Sequence, residues 1–123
     1  MKKELDALLC QRYPRIFADC QRTRCREGWF DLMDVLCERL QSWTARNGAP
    51  QVVVTEVKEK WGELSFSVKN SNDEQDGMIE MAEALSARIC EICGKPGQLM
   101  VNRDNFSTRC VEHADSGVEV APQ

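Results

Sequence analysis

The sequence predicts an α+β fold in which helices pack against a β-hairpin and a C-terminal zinc module closes the chain. Three observations carry this prediction. Between 29 and 46 apolar residues recur at helical spacing. Between 52 and 68 a β-branched run is followed by an alternating one. Finally, Cys90-Glu91-Ile92-Cys93-Gly94 is answered by Cys110-Val111-Glu112-His113. A chain of 123 residues, 42% apolar and 29% charged, suits one globular core with a metal-stapled appendage. The expected organisation is a core over 1–89, a zinc-binding module over 90–115 packed on it, and a fraying tail over 116–123.

Residues 2–12 read as a short helix with Leu5, Leu8, Leu9 and Arg12 along one face. Tyr13-Pro14 ends it, because the residue before a proline avoids the α region. Ile16 and Phe17 anchor a turn, and residues 19–28 read as a polar, solvated loop carrying Arg22, Arg24 and Arg26. The strongest helical stripe follows over 29–46: Trp29, Leu32, Met33, Leu36, Leu40 and Trp43. Asn47-Gly48 supplies its stop, with Pro50 just beyond.

The run 52–57 is β-branched and reads as a strand; Leu64, Phe66 and Val68 face inward from a second. The charged connection 58–63 places Gly62 at a positive-φ or bulge position. A third helix is expected near 73–89, opened by a capping box from Ser71 and Glu74, with Met78, Ala82, Leu85 and Ile89 as its buried face. It should run directly into Cys90.

Cys90, Cys93, Cys110 and His113 form two pairs, each spaced two apart, which suits one tetrahedral Zn2+ ion. The tight turn aims both sulfurs of the first pair at one centre, and Gly94 can take the positive φ that closes it. A hairpin from 99–101 and 106–109 would carry the second pair back. Knuckle, hairpin, then ligands in a short helical turn resembles a treble-clef finger over 90–115, with a zinc ribbon as the alternative. Four protein ligands leave no open coordination position, which marks a structural site.

Seven cysteines are present. With three on zinc, Cys10, Cys20, Cys25 and Cys37 remain as thiols, as a reducing compartment would keep them. Cys10 and Cys37 fall on apolar faces and read as core. Cys20 and Cys25 are too weakly patterned for a second ion.

Several function classes are disfavoured. No apolar run approaches the roughly 18–20 residues of a membrane span. Acidic residues interrupt the stretch after Lys2-Lys3, so no export signal is expected and the cytoplasm is the expected location. The chain's only histidine is spoken for by zinc, which leaves Ser–His and Cys–His mechanisms without a base. There is no Gly-rich phosphate loop, and the carboxylates show no paired spacing. The chain therefore reads as a non-enzyme with no small-molecule substrate. A finger that grips phosphate is usually basic, yet 90–113 sets Lys95, Arg103 and Arg109 against Glu91, Asp104 and Glu112.

What remains points to a partner. Trp61, between Lys58, Lys60 and Glu63, either folds onto the core, the ordinary outcome, or stands outward as an interface anchor. Arg22, Arg24 and Arg26 are the one basic cluster, and would touch nucleic acid or an acidic protein surface if they are not simply solvated.

Gly28-Trp29-Phe30-Asp31, 48–52, Val57-Lys58-Glu59-Lys60-Trp61-Gly62 and the Cys90 knuckle together resemble a family of small bacterial and phage-borne zinc-binding proteins. The resemblance covers most of 28–113 and implies a setting, a bacterial cell or mobile element, but no activity. The expectation is a non-enzymatic, zinc-stabilised protein-interaction module, in the narrowest form a phage-encoded inhibitor of a host defence complex. Its acidic middle segment would then meet a basic partner. The alternative is a nucleic-acid-binding regulator using Arg22, Arg24, Arg26 and the zinc module.

Overall fold

A computed structural model describes residues 1–19 and 22–114 and the backbone of Glu119–Val120. Cys20, and with it any pairing to Cys25, lies outside the described residues, as does most of the C-terminal tail. The described residues form an α+β fold with three helices and two small antiparallel sheets. In chain order these are α1 (Lys3–Arg12), α2 (Phe30–Asn47), β1 (Val53–Lys60), β2 (Glu63–Lys69), α3 (Asp73–Ser86), β3 (Gln98–Asn102), β4 (Asn105–Arg109) and β5 (Glu119–Val120). Single 3-10 turns stand at Glu27–Trp29 and Val111–His113.

The core lies where α2 meets the inner face of the β1–β2 hairpin. Trp29, Met33, Leu36, Cys37 and Leu40 pack there with Val52, Val54, Val57, Leu64 and Phe66. Leu9, Ile16 and Phe17 close one end, and Ile79 and Ala82 of α3 another. Gly48 ends α2 at φ +61°, the left-handed conformation that a glycine adopts without cost. Trp29 belongs to the 3-10 turn before α2 rather than to the helix. The reason is its indole N–H, which donates to the Ile89 carbonyl at 2.9 Å and fixes the ring across the chain.

Other local readings are corrected as well. The strands of the hairpin run further than 52–57 and 64–68, so that only Trp61-Gly62 forms the turn. Both residues have positive φ, 55° and 85°, which matches the right-handed twist of the paired strands. The capping box of α3 is built by Asn72 and Gln75 rather than Ser71 and Glu74. Asp76 instead accepts a short hydrogen bond from Ser71.

The buried face of α3 is also rotated, to Gln75, Ile79, Ala82 and Ser86, and Leu85 is 43% exposed. Polar demand explains the rotation. The outer edge of β2 presents N–H groups that no strand pairs, so Ser86 accepts from Leu64 N–H at 2.8 Å and Glu83 from Phe66 N–H at 2.9 Å. Gln75, fully buried, donates to the Leu40 carbonyl and the Thr44 hydroxyl of α2. The helix ends at Ser86, short of Cys90; Ala87 and Arg88 turn the chain, and Ile89 enters the knuckle as a bridge residue.

The arginine segment is not a solvated loop. Arg24 N–H donates to the Val57 carbonyl at 2.9 Å and the Glu59 N–H to the Arg24 carbonyl at 3.0 Å, a parallel bridge along the free edge of β1. Thr23 and Cys25 point inward, the former bonded through its hydroxyl to Asp6 at 2.6 Å. Arg22, Arg24 and Arg26 are the exposed alternates. At the other terminus, Val120 and Glu119 pair with Met100 and Val101, so part of the tail expected to fray is a strand.

Candidate metal centre

Cys90 follows an isolated β-bridge between Ile89 and Pro96, which turns 90–95 into a closed knuckle. Gly94 N–H donates to the Cys90 carbonyl at 2.9 Å, and Gly94 takes φ +81°. β3 and β4 then pair in register from Gln98↔Arg109 to Asn102↔Asn105 and deliver Cys110 beside the knuckle. The 3-10 turn Val111–His113 brings the imidazole round.

The ligand atoms of Cys90, Cys93, Cys110 and His113 all lie within 4.8 Å of one another, so the four residues could hold a metal ion. Cys93 and Cys110 sulfurs are 3.7 Å apart; His113 Nδ1 is 3.2 Å from Cys110 Sγ and 3.7 Å from Cys90 Sγ. For a tetrahedral zinc with bonds of roughly 2.3 Å to sulfur and 2.0 Å to nitrogen, the edges are about 3.8 Å and 3.5 Å. These three separations are near the edges of such a tetrahedron. Cys90 and Cys110 are buried, His113 half-buried and Cys93 exposed.

The backbone prepares the Cys90 sulfur. Burial pushes the Cys90 thiol up, but hydrogen bonds from the backbone at Cys110, Cys93 and Ile92 outweigh it and hold the group at about 6. Cys93 moves the other way. The backbone at Lys95 lowers it, yet burial and the neighbouring Cys110 and Cys90 sulfurs together raise it.

The knuckle is welded to the core through residues whose role the sequence does not advertise. Glu91, buried inside the CxxC, pairs with Arg109 at 3.1 Å and accepts the Arg26 N–H at 3.1 Å. Its carbonyl accepts the Gly28 N–H at 2.7 Å, and its N–H donates to the Thr108 carbonyl at 3.0 Å. A Cβ on Gly28 would sit 2.1 Å from the Cys90 carbonyl oxygen. The Gly28-Trp29 pair is therefore the seat of the knuckle.

Of the residues expected to meet a partner, the structure brings several together. Lys58 lies beside Arg24 in the parallel bridge, and Lys60 and Trp61 continue β1 to its tip. Trp61 does not fold onto the core; it is 64% exposed and packs edge-on against Phe106 of β4, with centroids 6.1 Å apart. The tip is seated by Gly62, whose carbonyl accepts the buried Thr108 hydroxyl at 2.7 Å. Phe106 and Thr108 carried no signal of this role beyond lying on the predicted hairpin. The charges nearby are locally compensated: Lys58 pairs with Glu56 at 3.2 Å and Arg26 with Glu27 at 3.5 Å. Cys25 is buried and its thiol pushed up to about 12, mainly by that burial, the reverse of what a second metal ligand requires.

No helix among the described residues is long and apolar enough to cross a membrane. Comparison with family models, with curated proteins and with solved structures gives no match for this chain.

Proposed function

We propose that the protein is a non-enzymatic interaction module in which one structural zinc ion fixes the surface presented to a protein partner. Zinc is the reading of the donor set: three thiolates and one imidazole within 4.8 Å of one another suit Zn2+ and disfavour hard cations. The centre leaves no protein-free position and uses the only histidine, which supports a structural rather than a catalytic role.

The observation that carries the interaction reading is Trp61. A bulky residue at φ 55° is an outlier, because a side chain there crowds its own backbone, at roughly 1–2 kcal/mol. Asn or Gly would make the same turn without that cost. The ring gains little burial in return, being 64% exposed. A strained, exposed tryptophan on a rigid tip is the kind of anchor that dominates protein interfaces. Lys58, Lys60, Arg22, Arg24 and Arg26 would form the charged border of that surface.

A second reading, nucleic-acid binding, draws on the three outward arginines beside Lys58. It is the weaker one, since Arg26 and Lys58 are paired with Glu27 and Glu56 and 90–113 is neutral. The narrower reading, a phage-encoded inhibitor of a bacterial defence complex in the cytoplasm, rests on the sequence resemblance and the overall acidity.

Two measurements test the proposal together. Affinity capture from a bacterial lysate should retain a protein with wild type and lose it with Trp61→Ala. A mobility titration with DNA and RNA at low salt should show no tight binding. Capture indifferent to Trp61, or steeply salt-dependent nucleic-acid binding, would overturn it.

A further inference from the structure

A second surface lies away from the metal centre, between α2 and α3. There Leu32, Val35, Leu36, Met78, Met81 and Leu85 line an open groove of about 150 Å³, with Arg39 at its border. Val35 is 56% exposed and Met81 63%, with Leu85 beside them. Folding does not require Val35, Met81 and Leu85 to be apolar, because the buried faces of both helices are complete without these three. Two antiparallel helices with an unfilled apolar seam offer the same relief that an amphipathic helix fills when it docks in a groove. Paired methionines suit such a seat, since their unbranched chains adapt to an incoming ridge.

Charge decides what fits. α3 carries Asp73, Glu74, Asp76, Glu80 and Glu83 and no lysine or arginine at all. α2 adds no net charge, with Asp31 and Glu38 against Arg39 and Arg46 and with Asp34 paired to Arg12 of α1 at 2.8 Å; Arg39 is itself paired with Glu38 at 3.4 Å. A second copy seated here would press two acidic helix pairs together, at a repulsive cost. A helix with an apolar ridge and lysine or arginine flanks would gain on both counts. We infer that the α2–α3 groove is a docking site for a basic amphipathic helix of a partner protein. This rests on the reading of the chain as an interaction module, but uses none of the residues around Trp61 or the metal.

The test uses the full chain and a fluorescent peptide with leucines at i, i+3, i+4 and i+7 and lysines elsewhere. Wild-type protein should bind it, and weaken as salt rises. A scrambled peptide of the same composition, and one with glutamate in place of lysine, should bind at least about tenfold more weakly. The decisive variant is Val35→Asp with Met81→Asp, on exposed positions that should leave the circular dichroism unchanged; Leu85→Asp serves if that pair misfolds. These changes make the protein more acidic, so attraction by charge alone would strengthen binding, whereas groove docking predicts a loss of about tenfold or more.

Trp61→Ala should bind the peptide as wild type does, which separates failure of the groove from failure of the Trp61 surface. Any of these outcomes would overturn the inference: no wild-type binding, equal binding of the scrambled or the glutamate peptide, unchanged or tighter binding by the aspartate variants, or loss with Trp61→Ala. A wild-type dimer that the aspartate variants dissolve would assign the face to a second copy and overturn it as well.

Discussion

Gly28 lies directly beneath the Cys90 carbonyl, so close that a methyl group in place of its hydrogen would fall 2.1 Å from that oxygen. The obstacle is backbone on both sides, so no side chain can swing away. Gly28→Ala should therefore displace the knuckle and cost about 1–3 kcal/mol, the usual range for overpacking. Urea melts should show the midpoint fall, and a zinc-chelator competition should show weaker metal retention. A variant with wild-type stability and metal affinity would mean that the knuckle is not seated on this turn.

The Thr108 hydroxyl links the metal-site hairpin to the tip that presents Trp61 by donating to the Gly62 carbonyl, beside the Trp61–Phe106 ring contact. Thr108→Val keeps the shape and removes the hydroxyl, leaving the buried Gly62 carbonyl without this donor. The expected loss is about 1–3 kcal/mol. Trp61 fluorescence, taken as the difference between each protein and its Trp61→Phe counterpart, should also become more accessible to acrylamide, since Trp61 is exposed and its replacement leaves the core intact. An unchanged melt would show that the tip is held by the Trp61–Phe106 contact alone.

Tyr13 is the chain's one tyrosine, so its titration can be read without assignment. Its hydroxyl donates to the Asp34 carboxylate at 2.6 Å. Burial first, then that bond and the carboxylate charge, hold the phenol protonated above its ordinary value of 10.0. A folded value above the unfolded one means that the contribution to stability is complete below pH 10 and is lost as pH rises through the folded value. Absorbance at 295 nm should rise later in native protein than in urea-unfolded protein. Coincident curves would contradict the buried hydrogen bond.

The cysteines should fall into classes. Cys25 and Cys37 are buried and burial raises both thiols, so neither should react with iodoacetamide near pH 8 while the protein is folded. Cys93 is exposed and should be shielded only by metal. Mass mapping after mild chelation should find Cys93 labelled before Cys25 or Cys37. Early labelling of Cys37 would place it outside the core.

Much of this was legible in the residues. The apolar stripe of α2, the Gly48 stop, the positive φ at Gly62 and the four-ligand constellation all follow from local pattern, because each is fixed by neighbours in sequence. What escaped depends on distant partners. The rotation of α3 answers N–H groups at Leu64 and Phe66, which lie about twenty residues away and appear only once the strand edge exists. The arginine segment reads as loop because its strand partner is β1, not a neighbour. Glu91 looks like a surface residue in a CxxC turn, yet it is buried by contacts with Arg26 and Arg109. Trp61 is the reverse case: its size predicts burial, but the two-residue turn leaves it no core to reach.

A single zinc ion held by Cys90, Cys93, Cys110 and His113 is proposed to organise the C-terminal third of the chain. X-ray absorption at the zinc edge, on protein purified without added metal and quantified for metal content, reads its coordination shell. One zinc per chain with three sulfurs at about 2.3 Å and one nitrogen at about 2.0 Å is the predicted result. A metal-free protein whose fold over 90–113 is intact, or zinc surrounded mainly by oxygen, would contradict it.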